Sequence, residues 1–124
     1  MSVSIHAMPE EIIIAILHKV GKGTRMANDL KLAAIFNEAA KRYPDFLGDF
    51  AWHPQYHDSK IIRDTLQALD LGGAIIRENA STKYFKISPR IAGAYGKAKY
   101  EQFNADQKAA IEELAHNIRE AYPQ

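Results

Sequence analysis

Leu69-Asp70-Leu71-Gly72-Gly73-Ala74-Ile75-Ile76 is the stretch where the chain changes period. Upstream, Ile62, Leu66 and Leu69 recur at i, i+4 and i+7 with Ile61 alongside, which predicts a helix over 58–71 that buries one stripe. Gly72 closes that helix, because glycine takes the left-handed conformation a helix end favours. Downstream, Ala74-Ile75-Ile76-Arg77-Glu78 and Lys83-Tyr84-Phe85-Lys86-Ile87-Ser88 are rich in β-branched and aromatic residues. They flank the polar Asn79-Ala80-Ser81-Thr82, the arrangement of a β-hairpin, and Pro89 ends its second strand.

Working outward, Pro9 opens a first helix, with Glu10 and Glu11 at the positive end of its dipole. Ile13, Ile16, Leu17 and Val20 form its buried stripe, and Gly21 and Gly23 end it. A second helix falls within 25–43, capped by Asn28 or Asp29, or by Thr24 in a longer version. Its stripe is Leu32, Ile35, Phe36, Ala39 and Tyr43, and Pro44 stops it. Residues 44–57 hold Phe46, Phe50, Trp52 and Tyr56 between two prolines and a glycine, and read as a packed connection with one short helical turn. Residues 90–102 fit a bent helix or an ordered loop. A last helix, 103–122, starts at Asn104 and Gln107 with capping-box spacing. It runs an apolar stripe through Ile111, Leu114, Ala115, Ile118 and Tyr122.

The expected fold class is α+β, mainly α: three helices, a two-stranded hairpin and a C-terminal helix in a single domain over 1–124. This order resembles a winged-helix domain, with the core at 9–88. Lys83-Tyr84-Phe85-Lys86-Ile87-Ser88 resembles the second wing strand of PadR- or MarR-type transcriptional regulators, and Leu69 to Ile76 is similar to their helix-to-wing junction. The resemblance implies duplex DNA as the partner and a homodimer joined through terminal helices. Winged helices also serve as protein-interaction modules. About fourteen residues separate helix two from helix three, where a helix-turn-helix uses a turn of 3–4. That long connection keeps the protein-binding alternative in play.

Composition bounds the chemistry. The 124 residues are 47% hydrophobic and 25% charged, with no cysteine and a net charge of +1. A chain this long buries about two-thirds of its unfolded surface and folds without disulfides or a metal. Lack of cysteine removes thiol catalysis and thiolate metal sites. The longest apolar run, Ile12 to Leu17, is six residues, against about 20 for a membrane span. The N-terminus has no basic residue before an apolar stretch, so it does not read as a signal peptide, and a soluble cytoplasmic protein is expected.

Charge is segregated. Residues 60–100 carry eight Lys/Arg against three Asp/Glu, whereas 101–124 carry two against five. A basic middle suits an anionic partner. With Ile62, Leu66 and Leu69 turned inward, Ser59, Lys60, Arg63 and Gln67 are the expected DNA-contacting residues of helix 58–71, with Asp64 among them. Arg77, Lys83 and Lys86 are expected to add backbone contacts from the wing. His57 and Ser59 lie near the helix start, where backbone N–H groups favour a phosphate.

Other constellations carry less. Asp45, Asp49, His53 and His57 recur every four residues, but Gly48 and Pro54 interrupt any helix that would align them, and no metal site is expected. Gly21-Lys22-Gly23-Thr24 lacks the phosphate-loop frame, Gly93-Ala94-Tyr95-Gly96 lacks a dinucleotide frame, and no serine has a nucleophile context. No enzyme activity and no cofactor are expected.

Overall fold

The computed structural model describes residues 9–21, 23–27, 30–47, 60–73, 75–77 and 84–122. The elements in chain order are α1 (Pro9–Val20), β1 (Arg25–Ala27), α2 (Leu30–Arg42), α3 (Pro44–Leu47), α4 (Lys60–Leu71), β2 (Ile75–Arg77), β3 (Tyr84–Ile87), α5 (Pro89–Ala92), α6 (Ala94–Glu101) and α7 (Ala105–Ala121). The chain is mainly helical with a small antiparallel sheet, as its periodicities predict. Among the described residues no helix is long and apolar enough to cross a membrane.

α1 is the centre of the molecule. Ile12, Ile13, Ile14, Ala15, Ile16 and Leu17 are all buried, so the helix has no wet side over those two turns. The single stripe expected from the sequence is widened because α4, α5, α6 and α7 enclose α1 from several directions. A helix apolar all round belongs in a core.

Residues 25–27 overturn only the longer version of the second helix, capped by Thr24, since α2 begins at Leu30. They form β1, which pairs antiparallel with β3 in the register Arg25 to Lys86, Met26 to Phe85 and Ala27 to Tyr84. The turn before β1 makes this possible. Gly21 and Gly23 take φ values of 108° and 77°, open only to glycine at little cost. The Gly23 N–H then donates to Ile87 O at 3.0 Å, and the Ile87 N–H donates to Thr24 O at 3.2 Å. The chain is thus zipped onto β3 before a helix can begin, and Met26 and Ala27 go under the sheet into the core.

β2 pairs with the other side of β3, giving the order β1-β3-β2. Alternation sends Met26, Ile75, Phe85 and Ile87 inward and leaves Arg25, Ile76, Tyr84 and Lys86 on the outer face. The connection 78–83, with the expected wing tip, lies outside the described residues, as do Asn28, Asp29 and the aromatic residues Phe50, Trp52 and Tyr56. Of the aromatic segment, α3 supplies the short helical turn, and Phe46 packs edge-on to Phe103 with ring centroids 5.7 Å apart.

Residues 90–102 resolve into α5 and α6. Ser88, buried, caps α5 through a bond from the Ile91 N–H to its hydroxyl. α7 starts at the expected capping box: the Gln107 N–H donates to the Asn104 side chain at 2.8 Å, and the Asn104 N–H donates back to Gln107 at 3.0 Å. Its stripe of Ile111, Leu114, Ala115 and Ile118 is buried against α1 and α2. The stripe through which helix 103–122 was expected to dimerise is covered by α1 and α2 of the same chain.

Polar contacts along the rim fix the same docking. Arg119 donates to Lys19 O at 2.6 Å, Lys19 pairs with Glu112 at 3.6 Å, and Arg42 pairs with Glu113. The Tyr43 hydroxyl bonds Glu113, which holds that phenol above its ordinary pKa, and burial does the same for Tyr100, with Glu112 beside it.

Candidate nucleic-acid interface

α4 is amphipathic. Thr65, Leu66 and Leu69 are buried, and the helix packs on α1 and β2. Arg63, Asp64, Gln67, Ala68 and Leu71 are exposed. Arg63 and Gln67, four residues apart, stand one above the other on the outer face, with Asp64 at its flank. Lys60 occupies the first position of α4, and Ser59 lies outside the described residues. The two helix-face residues that the structure shows in full, Arg63 and Gln67, are therefore brought together as expected.

α4 enters the hairpin through Gly72 and Gly73. Their N–H groups bond Ala68 O and Asp70 O at 3.0 and 3.1 Å, and Gly73 has φ +76°. Arg90, two residues beyond Ser88, reaches back and donates to Gly72 O at 3.3 Å. Its guanidinium also lies 4.9 Å above the Tyr95 ring. One side chain thus joins the exit of the hairpin to its entrance. A cation at the carbonyl end of α4 is also favoured by the helix dipole.

Lys86 projects from the outer face of β3, directly between Arg25 on β1 and Ile76 on β2. The Arg25 guanidinium lies 5.3 Å from the Tyr84 ring centroid. Arg77 closes β2 opposite Phe85, and Lys83 lies outside the described residues. The three strands hold the cations Arg25, Arg77 and Lys86 and no carboxylate. Arg25 and Lys86 are register partners on the exposed face of the sheet.

Sequence reasoning missed Arg25 and Arg90. A strand of three residues is too short to show alternation, and the segment containing Arg90 had no clear period. The basic balance over 60–100 was the one signal that could have drawn attention to Arg90.

Of the spacing at Asp45, Asp49, His53 and His57, only Asp45 is described; it sits exposed on α3. Among the described residues no group of three or more His, Asp or Glu side chains is placed to hold a metal ion. His18 is half-buried, with Nδ1 3.1 Å from Ile91 O, a structural position between α1 and α5. Comparison with protein-family models, with curated proteins and with solved structures gives no match.

Proposed function

We propose that this chain is a winged-helix protein that binds duplex DNA as a transcriptional regulator and has no catalytic role. One observation carries the reading. A helix with Arg63 and Gln67 on its exposed face runs through a two-glycine turn into a hairpin whose central strand exposes Lys86. Arg63 has the fork that meets a phosphate or a guanine edge, and Gln67 the amide that pairs with adenine. Ser59, Lys60, Arg77 and Lys83 complete the proposed contact set. Support for the winged-helix arrangement comes from the third strand, which pairs with β3 and leaves β1 and β2 as the sheet edges. With the apolar stripe of α7 covered within the chain, the reading takes one chain as the binding unit.

Anisotropy of a labelled random-sequence duplex at two salt concentrations tests this. Micromolar binding that weakens steeply with salt is expected, because each neutralised phosphate releases counterions. The double variant Lys60→Ala/Arg63→Ala should weaken it by about tenfold or more, on the order of two lost phosphate contacts. No binding at low salt overturns the proposal.

A second reading, a protein-interaction module, is favoured by one observation. Leu71 is 84% exposed and Ile76 48% exposed, at the end of α4 and in β2. Exposed aliphatics near each other in sequence suit a protein partner. Its signature is partner binding that Leu71→Asp abolishes and Arg63→Ala leaves unchanged.

A further inference from the structure

We propose that Arg90 of α5 is a phosphate-contacting residue of the duplex interface, held at the carbonyl end of α4 by two contacts with its own chain. This rests on the duplex-binding reading and extends the interface past the hairpin to a residue that follows it.

Two contacts fix the guanidinium before any partner arrives. It donates to Gly72 O at 3.3 Å and lies 4.9 Å from the centroid of the Tyr95 ring. A stacked arginine has already given up rotamer freedom, so less remains to be lost on binding. The bond to Gly72 O uses one of the five N–H groups a guanidinium carries, and Arg90 is exposed. Its other N–H groups form the fork that phosphate oxygens accept.

The charge also lacks a counter-ion. Lys19, Lys41, Arg42, Lys99 and Lys108 each pair with a glutamate. Among the described residues no carboxylate pairs with Arg90, and Asp70, in the last turn of α4, is engaged with another group.

Position matters as much as charge. The carbonyl end of a helix carries roughly half a negative charge, which repels phosphate. Arg90 sets a full positive charge on that end of α4, so the end becomes attractive to an anion. Gln67, exposed on α4, lies five residues before Gly72, about 7.5 Å along a helix axis. A major groove is about 12 Å wide, so its walls stand about 6 Å to either side of a base edge at its centre. With α4 lying across the groove and Gln67 on a base, Gly72 and the guanidinium bound to it come level with the phosphates of one wall. A contact to phosphate adds affinity and not sequence preference.

The test is the salt dependence of binding to a labelled 20-base-pair random duplex, measured on the full chain. Arg90→Gln is expected to weaken binding about threefold to tenfold and to reduce the slope of log K against log salt by about 0.9, the share of one phosphate. Arg90→Lys keeps the charge and should keep the slope. Lys97→Gln is the control for net charge. Lys97 is exposed and, two residues from Tyr95, stands about 200° round α6 from it, so its loss should leave the slope unchanged. Far-UV circular dichroism and a thermal melt check folding. Arg90→Met, which keeps the apolar stem over Tyr95, carries the same test if Arg90→Gln does not fold. A side chain that only straps α5 to the hairpin entrance would lower the melting temperature on Arg90→Gln and leave the slope at its wild-type value, which overturns the proposal. An equal loss of slope in Lys97→Gln overturns it too, because the effect is then one of net charge. Either result leaves the duplex reading standing, whereas no wild-type binding at low salt overturns both.

Discussion

At Gly96 the backbone of α6 touches α1. A methyl group there would lie 1.8 Å from Ile91 O and 2.8 Å from the Cβ of His18. Neither neighbour is free to move: Ile91 is fully buried, and His18 meets the same Ile91 carbonyl through Nδ1. Gly96→Ala must therefore push α6 off α1 or twist α5, and the expected loss is about 3 kcal/mol, the upper part of the overpacking range. Urea unfolding measures it, and a loss below about 0.5 kcal/mol would mean that the contact yields easily. Gly73 has a different constraint, since open space surrounds its Cβ position and its positive φ alone demands glycine. Sequence cannot separate these two kinds of glycine. Gly93-Ala94-Tyr95-Gly96 carries no sign of which residue faces a neighbouring helix, because that depends on how α6 lies across α1. The partner of His18, the Ile91 carbonyl 73 residues away, is set by the fold and has no local signal in the sequence.

Elements differ in how far their causes lie along the chain. The start of α7 is set by two residues three apart, so the capping box could be read directly and the structure repeats it bond for bond. Asn104→Ala removes the side-chain acceptor for the Gln107 N–H, while the backbone N–H of residue 104 that donates to the Gln107 side chain stays, and should cost about 1 kcal/mol. A thermal melt of that variant checks it, and an unchanged midpoint would show that tertiary packing alone fixes the helix start. The hairpin was legible for the same reason of proximity, as β2 and β3 are close in sequence and each is rich in β-branched or aromatic residues. β1 was not. Its three residues gain strand geometry only from Tyr84, Phe85 and Lys86, nearly sixty positions downstream, while Arg25-Met26-Ala27 alone suits a helix as well. The candidate site divides along the same line. Arg63, Gln67 and Lys86 follow from local period, whereas Arg25 joins them only when the sheet closes.

At the scale of the whole molecule, α7 decides whether the fold is complete in one chain. Ile111, Leu114 and Ile118 are each at most 1% exposed, and α1 and α2 form the surface they cover. Burying three such side chains is worth on the order of 5–8 kcal/mol, comparable with the 5–15 kcal/mol by which a domain of this size is stable. α7 also reaches the sheet: the Tyr122 hydroxyl donates to Ala27 O at 2.9 Å, tying the helix to the edge strand that carries Arg25. Its outer face adds Glu112 and Glu120, so the same helix that steadies the basic sheet would repel DNA if it faced the duplex. A chain ending at Phe103 is therefore expected to lose cooperative thermal unfolding and, with it, any salt-sensitive duplex binding. An assembly helix would behave otherwise, because its removal would leave a folded chain that melts cooperatively and changes only in sedimentation. Circular dichroism melts of the truncated and full chains, with sedimentation velocity on both, separate the two. Cooperative melting of the truncated chain would show that α7 is an appendage to the core and not one of its walls.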